Sequence, residues 1–238
     1  MNTKDIENSL YSHYHHFKSY SVPQLKKKHI KQFDREFWGP TASNNKLKIL
    51  EVGCGTGLFL QYLHHKGTTD LTGVDRDPIL ENFIHPDVKS CFIASDIFEF
   101  LRNRSSPLAF DRIAMFDVLE HFELEEGIEL LQLLSKFLSK SGRIVIRVPN
   151  TASPWGIQFQ FGDLTHRTAY TPSSLKQLAI MSDLECIKCL PQIRGSNSKR
   201  VFQRILNYVL EKSLPETPEI WSANFIAILQ HRNAFASK

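Results

Sequence analysis

One short stretch, Glu51-Val52-Gly53-Cys54-Gly55-Thr56-Gly57, restricts the possible fold of this chain more than any other feature. It follows the apolar run 47–52 (LKILEV) and precedes 57–67 (GLFLQYLHHKG), where Phe59, Tyr62 and Leu63 share one helical face. Glycines at alternate positions between a strand and a helix allow a tight turn, positive φ and the close approach of a ligand to bare backbone. The spacing is G-x-G-x-G, which differs from the G-x-G-x-x-G of nicotinamide and flavin enzymes. The phosphate loop G-x-x-x-x-G-K-[ST] is absent.

The pattern established by that loop repeats along the chain. Further strands are read at 70–75 (DLTGVD), 89–96 (KSCFIASD), 110–117 (FDRIAMFD) and 142–150 (GRIVIRVPN). A long helix carries Leu124, Ile128, Leu131 and Leu138 and ends between Lys136 and Gly142. A helix at 172–182, a strand at 183–193, a basic helical insertion at about 197–218 and a last strand at 224–232 follow. Strands alternating with helices at this spacing predict an α/β, Rossmann-like, mostly parallel sheet with helices on both faces and ligands at the carboxyl ends of the strands. Residues 1–45 read as an N-terminal helical extension or lid, with Leu25, Ile30, Phe33 and Phe37 on a helical period, ahead of a main domain at 46–238.

Acids stand at the expected strand ends. Asp75 lies 22 residues after Gly53, where a carboxylate accepts hydrogen bonds from a ribose diol. Asp96 ends the third strand, within reach of an adenine amino group, with Ile97 expected to pack on the ring. Taken singly, each acid reads equally well as a helix cap.

The ordered set LKILEVGCGTGLFL, LTGVDRDP, FIASD, FDRIAMFDVLEHF and GRIVIRVPN, over about residues 47–150, resembles the successive motifs of class I S-adenosylmethionine-dependent methyltransferases. The resemblance implies a seven-stranded sheet whose final, antiparallel strand is NFIAILQHR, and S-adenosyl-L-methionine as cofactor. It also implies roles: Glu51 with the loop of Gly53, Cys54, Gly55 and Gly57 for the methionyl end, Asp75 for the ribose, Asp96 and Ile97 for the adenine, and Asp117 beside the methyl donor.

The donor of such an enzyme is a sulfonium, so its methyl group is already activated and the protein must mainly align a nucleophile and exclude water. An alcohol acceptor gains from a general base, whereas a thiol or carboxylate does not need one. His166, with Asp163 three residues before it to orient the imidazole, is the first candidate; His121, in an Glu-His pair common to the resembling family, is the second. In the same stretch Thr171 before Pro172 reads as the cap of the next helix.

Loops similar to GDLTHRTAYTPSSL after VPN, as in methyltransferases of polysaccharide and sugar modification, imply a sugar or glycan-related acceptor methylated on oxygen. FDVLEH also looks like quinone-like or lipid small-molecule methyltransferases, and a cofactor-binding protein without catalysis is the third reading. The net charge is +4, with the basic excess in 1–45 and 188–212, which leaves room for an anionic acceptor or a peripheral membrane contact.

No nucleic-acid partner is expected, since strand four lacks the Asn/Asp-Pro-Pro-aromatic tetrad of nucleobase methylation. No metal is expected either. His13, His15 and His16 lack ligand spacing, and Cys186 and Cys189, three apart on a strand, should face opposite sides. Without a secretory leader pattern or a long apolar run the expected location is cytoplasmic.

Overall fold

The computed structural model describes residues 19–103 and 109–232. Seven strands form one mixed sheet: β1 (Ile49–Val52), β2 (Leu71–Asp75), β3 (Phe92–Ala94), β4 (Phe110–Phe116), β5 (Leu138–Pro149), β6 (Leu184–Pro191) and β7 (Asn224–His231). Their order across the sheet is β3-β2-β1-β4-β5-β7-β6. The neighbours from β3 through β5 pair in parallel, and β7 runs antiparallel between β5 and β6. The parallel strands therefore direct their carboxyl ends, and the loops that leave them, to one edge of the sheet.

Both faces are covered, as near-continuous apolar strands require. On one face lie Ile97, Phe100 and Leu101 of α3 (Ile97–Arg102), Leu130, Leu131 and Leu134 of α4 (Leu124–Lys136), and Leu175 and Leu178 of α6 (Pro172–Met181). On the other, Phe33 of α1 (Lys27–Phe33) and Phe37 of the wider turn Asp34–Trp38 pack with Phe59, Tyr62 and Leu63 of α2 (Leu58–His65) and with Phe116. Phe37 is fully buried. The described part of the N-terminal segment, predicted as an extension, is thus a layer of the same core.

Three local features depart from the sequence reading. Helix α4 stops at Lys136, and Leu138, expected on its apolar stripe, instead opens β5 opposite Phe110. A helix that periodicity did not reveal, α5 (Pro154–Gln160), begins where the Ser153 hydroxyl accepts the Trp155 N–H with Pro154 at its first position. Finally, the register of β6 shifts between Cys186, opposite Leu229, and Lys188, opposite Ile228. The extra residue, Ile187, is a bulge that resets the alternation of faces, so the two thiols meet, Sγ to Sγ 3.6 Å, where strict alternation separates them.

The insertion forms α7 (Asn197–Ser213). None of its residues is buried, and Val201, Phe202, Ile205, Tyr208 and Val209 are all exposed. Trp221 Nε1–H ties it to the body by donating to Glu211 at 2.9 Å. No helix of the described residues is long and apolar enough to cross a membrane. His13, His15 and His16 lie outside the described residues.

Candidate active site

Gly53, Gly55 and Gly57 all take positive φ, between 53° and 77°, in the turn that carries the chain from β1 into α2. A Cβ at Gly53 would lie 2.4 Å from Val118 Cγ2, so the loop is pressed against the segment leaving β4. A Cβ at Gly55 would meet nothing within 4 Å; this side of the loop faces open space. Cys54 contributes only backbone, because its side chain is buried with Leu60, Ile84 and Val88.

Asp75 fixes the loop from the end of β2. Its Oδ2 accepts the Gly55 N–H at 2.8 Å and its Oδ1 the Asp77 N–H at 3.1 Å, and each oxygen keeps a second lone pair for a diol. Burial raises its pKa, with the backbone donors opposing. Tyr20 stands close enough that, after burial, the charges of Asp77 and Asp75 raise its own pKa.

Glu51 is 5% exposed, and its Oε2 has no hydrogen-bond partner among the described residues. Burial, then Asp75, pushes its pKa well above the usual carboxylate range, against the opposing charge of Arg147. An orphaned carboxylate oxygen beside a bare glycine loop suits the ammonium of a methionyl group, and the residues present therefore fit that cofactor.

At β3 the exposed Asp96 caps α3, its Oδ1 accepting the N–H groups of Phe98 and Glu99 at 2.8 and 3.2 Å. The second carboxylate oxygen takes no part in that cap. Ile97, expected on an adenine ring, is 6% exposed and lies within the main core, because the first turn of α3 folds it toward the sheet. Asp117 leaves β4 at φ 58°, with Oδ1 and Oδ2 accepting from Arg147 at 3.0 and 2.5 Å. Arg147 also donates to the buried Glu36 at 2.8 Å, and these two partners keep it charged against the cost of burial.

Asp163, His166 and His121 are joined differently from the sequence reading. Asp163 was expected to orient His166; instead its Oδ1 accepts the backbone N–H and the hydroxyl of Thr165, at 3.0 and 2.6 Å. With its proton given to Asp163, Thr165 Oγ1 accepts from His121 Nδ1 at 3.0 Å. His166 Nδ1 bonds the carbonyl oxygen of Gln160, the last residue of α5, at 3.0 Å. The two imidazoles meet edge to face with centroids 4.6 Å apart.

Sequence reasoning missed Glu120, Thr165 and Gln160. Glu120 is fully buried, its pKa pushed well above the usual range by burial and then by Asp117. Its backbone carbonyl accepts from Arg167 and Thr168, which stitches the loop after α5 to the turn after β4. The Glu-His dipeptide and the Ser153-Pro154 helix start were the only local signals for this arrangement.

A seven-stranded sheet with a reversed last strand, a glycine cradle after β1 and acids at the ends of β2 and β3 defines a Rossmann-like protein that holds an adenosyl cofactor across its sheet edge. A family model described as a methyltransferase domain matches residues 16–188, and the chain belongs to that family. It is an S-adenosylmethionine-dependent methyltransferase.

Among solved structures, a SAM-dependent methyltransferase from Archaeoglobus fulgidus is 23% identical over 85% of this chain and 91% of its own, with a TM-score of 0.60. The plantazolicin methyltransferase BpumL, in complex with a triazolic desmethylPZN analog and SAH, is 22% identical over 94% of this chain and 91% of its own, with a TM-score of 0.55. An O-methyltransferase from neocarzinostatin biosynthesis, in complex with SAM and 2-hydroxy-5-methyl naphthoic acid, is 13% identical over 86% of this chain and 56% of its own, with a TM-score of 0.54. At these identities the likeness establishes the fold. No curated protein matches the chain in sequence.

Proposed function

We propose that this methyltransferase acts on a hydroxyl oxygen of a small molecule, with a sugar or glycan-related acceptor as the first candidate. The observation that carries this reading is the pair His121 and His166, each held at Nδ1 by a defined partner, in the loops after β4 and β5. The β4 loop is the one that presses on the glycine cradle. Imidazoles fixed there suit an acceptor whose proton must leave as the methyl group arrives, as an alcohol requires. Trp155, Phe159 and Phe161, on α5 and just after it, are all exposed and offer aromatic faces on which a sugar ring can stack.

The natural-product O-methyltransferase among the structural relatives favours oxygen as acceptor atom. The test is methyl transfer from labelled S-adenosylmethionine to panels of nucleotide sugars, glycans and phenolic lipids. Transfer to hydroxyls is expected, and His166→Ala should lower turnover by about 10²- to 10⁴-fold while leaving cofactor-product binding intact. Transfer only to nitrogen or sulfur acceptors, or unchanged turnover in that variant, overturns the reading.

A second reading, a quinone-like or lipid acceptor met at a membrane surface, draws on α7. Its exposed apolar stripe is flanked by Lys199, Arg200, Arg204 and Lys212, a composition suited to an anionic interface. Co-sedimentation with phosphatidylglycerol vesicles at low salt tests it, and absence of binding removes it.

A further inference from the structure

We propose that Glu120, His121 and His166 form a binding site for one divalent transition-metal ion, on the acceptor side of the cofactor cradle. One ligand atom from each, a carboxylate oxygen and two imidazole nitrogens, lies within 4.8 Å of the others. Ligand bonds of about 2.0–2.2 Å to such an ion place the donor atoms roughly 3–4 Å apart, which small side-chain rotations provide.

The second observation is Glu120 itself. Its side chain is 0% exposed, and neither carboxylate oxygen meets a hydrogen-bond partner among the described residues. A buried carboxylate without donors is costly unless something cationic completes it. The neighbouring imidazoles do not direct Nδ1 to it, because those nitrogens are engaged by Thr165 and by the carbonyl of Gln160.

Those same bonds are the arrangement a metal site needs. The Gln160 carbonyl can only accept, so His166 carries its proton on Nδ1 and its lone pair on Nε2. Thr165 gives its own proton to Asp163, so His121 takes the same tautomer. An imidazole held at Nδ1–H by a carbonyl, or through a hydroxyl by a carboxylate, presents Nε2 to a metal in a fixed orientation. Two imidazoles and one carboxylate suit Mn²⁺, Fe²⁺, Co²⁺ or Zn²⁺ and leave coordination positions open.

The role of the ion, though not its binding, rests on the O-methylation reading. An acceptor hydroxyl reaching an open position would be acidified and oriented there. Its proton leaves to solvent, its oxygen lone pair forms the new O–CH₃ bond, and the S–CH₃ bond breaks with its electron pair passing to sulfur. His166 then acts by holding the ion and not by taking the proton.

The test uses the full chain without a polyhistidine tag, stripped with EDTA and titrated with Co²⁺. One equivalent should bind and give a visible d–d absorption band. Glu120→Gln, His121→Ala and His166→Ala should each weaken Co²⁺ binding at least about tenfold, and Thr165→Val, which removes no ligand, by about 10- to 100-fold. Calorimetric binding of S-adenosylhomocysteine should be retained in all four, which separates a lost site from a lost fold; a variant that loses it is set aside in favour of the others.

Failure of the wild type to bind one Co²⁺, or binding that the His121→Ala/His166→Ala double variant leaves intact, overturns the site. Metal binding with no methyl transfer to any hydroxyl would instead overturn the O-methylation reading and leave the site standing. Turnover unaffected by EDTA would leave His166 as a base without an ion and overturn the role proposed for the metal.

Discussion

Glu51 costs stability at neutral pH. Its carboxyl has a raised pKa because it is buried, with one oxygen unpartnered. Below about pH 4 the folded and unfolded states both hold the proton and the residue costs nothing. As pH rises, the unfolded chain ionises while the folded carboxyl retains its proton, so stability is lost up to the raised folded pKa. Glu51→Gln should therefore match the wild type near pH 4 and be more stable at pH 7–8 by about 1–2 kcal/mol, or roughly 2–8 °C in Tm. The same variant should bind S-adenosylhomocysteine at least about tenfold more weakly, if the carboxylate pairs with a methionyl ammonium as its charge-assisted bond implies. Melting curves across pH, compared as differences between the two proteins, and calorimetry check both. Gly53 and Gly55 separate the same way: Ala at 53 collides with Val118 and should mainly unfold, whereas Ala at 55 should cost only about 1–2 kcal/mol of backbone strain and mainly weaken cofactor binding.

At the scale of elements, β6 shows how one inserted residue changes chemistry. The bulge at Ile187 brings Cys186 and Cys189 together, and the bond from Cys189 lowers the Cys186 thiol to about 7, with burial opposing. The partner thiol is raised correspondingly. Iodoacetamide should modify Cys186 first, with a rate that climbs through about pH 7, and Cys189→Ala should move that midpoint up toward 9.0. Peptide mapping of the alkylated protein reads both. Alternation of faces gave the opposite arrangement from sequence, because a bulge leaves no compositional mark in a run such as Cys186-Ile187-Lys188-Cys189. Helix α5 was legible in principle, since Ser153-Pro154 is a helix start, but at seven residues it is too short for apolar periodicity to register.

For the whole molecule, the N-terminal segment is bound in by charge as well as by aromatic packing. Glu36 accepts from Arg147 and from Gln192 at 3.0 Å, and Arg147 returns to Asp117, so one buried guanidinium ties this segment to the ends of β4 and β5. Arg147→Ala strands Glu36 in the interior and should cost about 3–5 kcal/mol in urea unfolding. Adding Glu36→Gln should recover part of that loss, because the two residues share one interaction. A double variant as unstable as the sum of its parts would show that the pair is not coupled.

The sequence by itself determined the fold of this protein and the class of cofactor it uses. A glycine loop, acids at strand ends and the alternation of strand and helix are local patterns, each fixed by backbone sterics and side-chain period within a few residues. Only the tertiary structure decided which side chains meet around His121, His166 and Arg147. His121 and Thr165 are 44 residues apart, and Glu36 and Arg147 are 111. Which of them meet depends on strand order, on the docking of α5 and on which carboxylates burial leaves without a partner. Such pairings are set by packing across the sheet edge, and no local spacing encodes them.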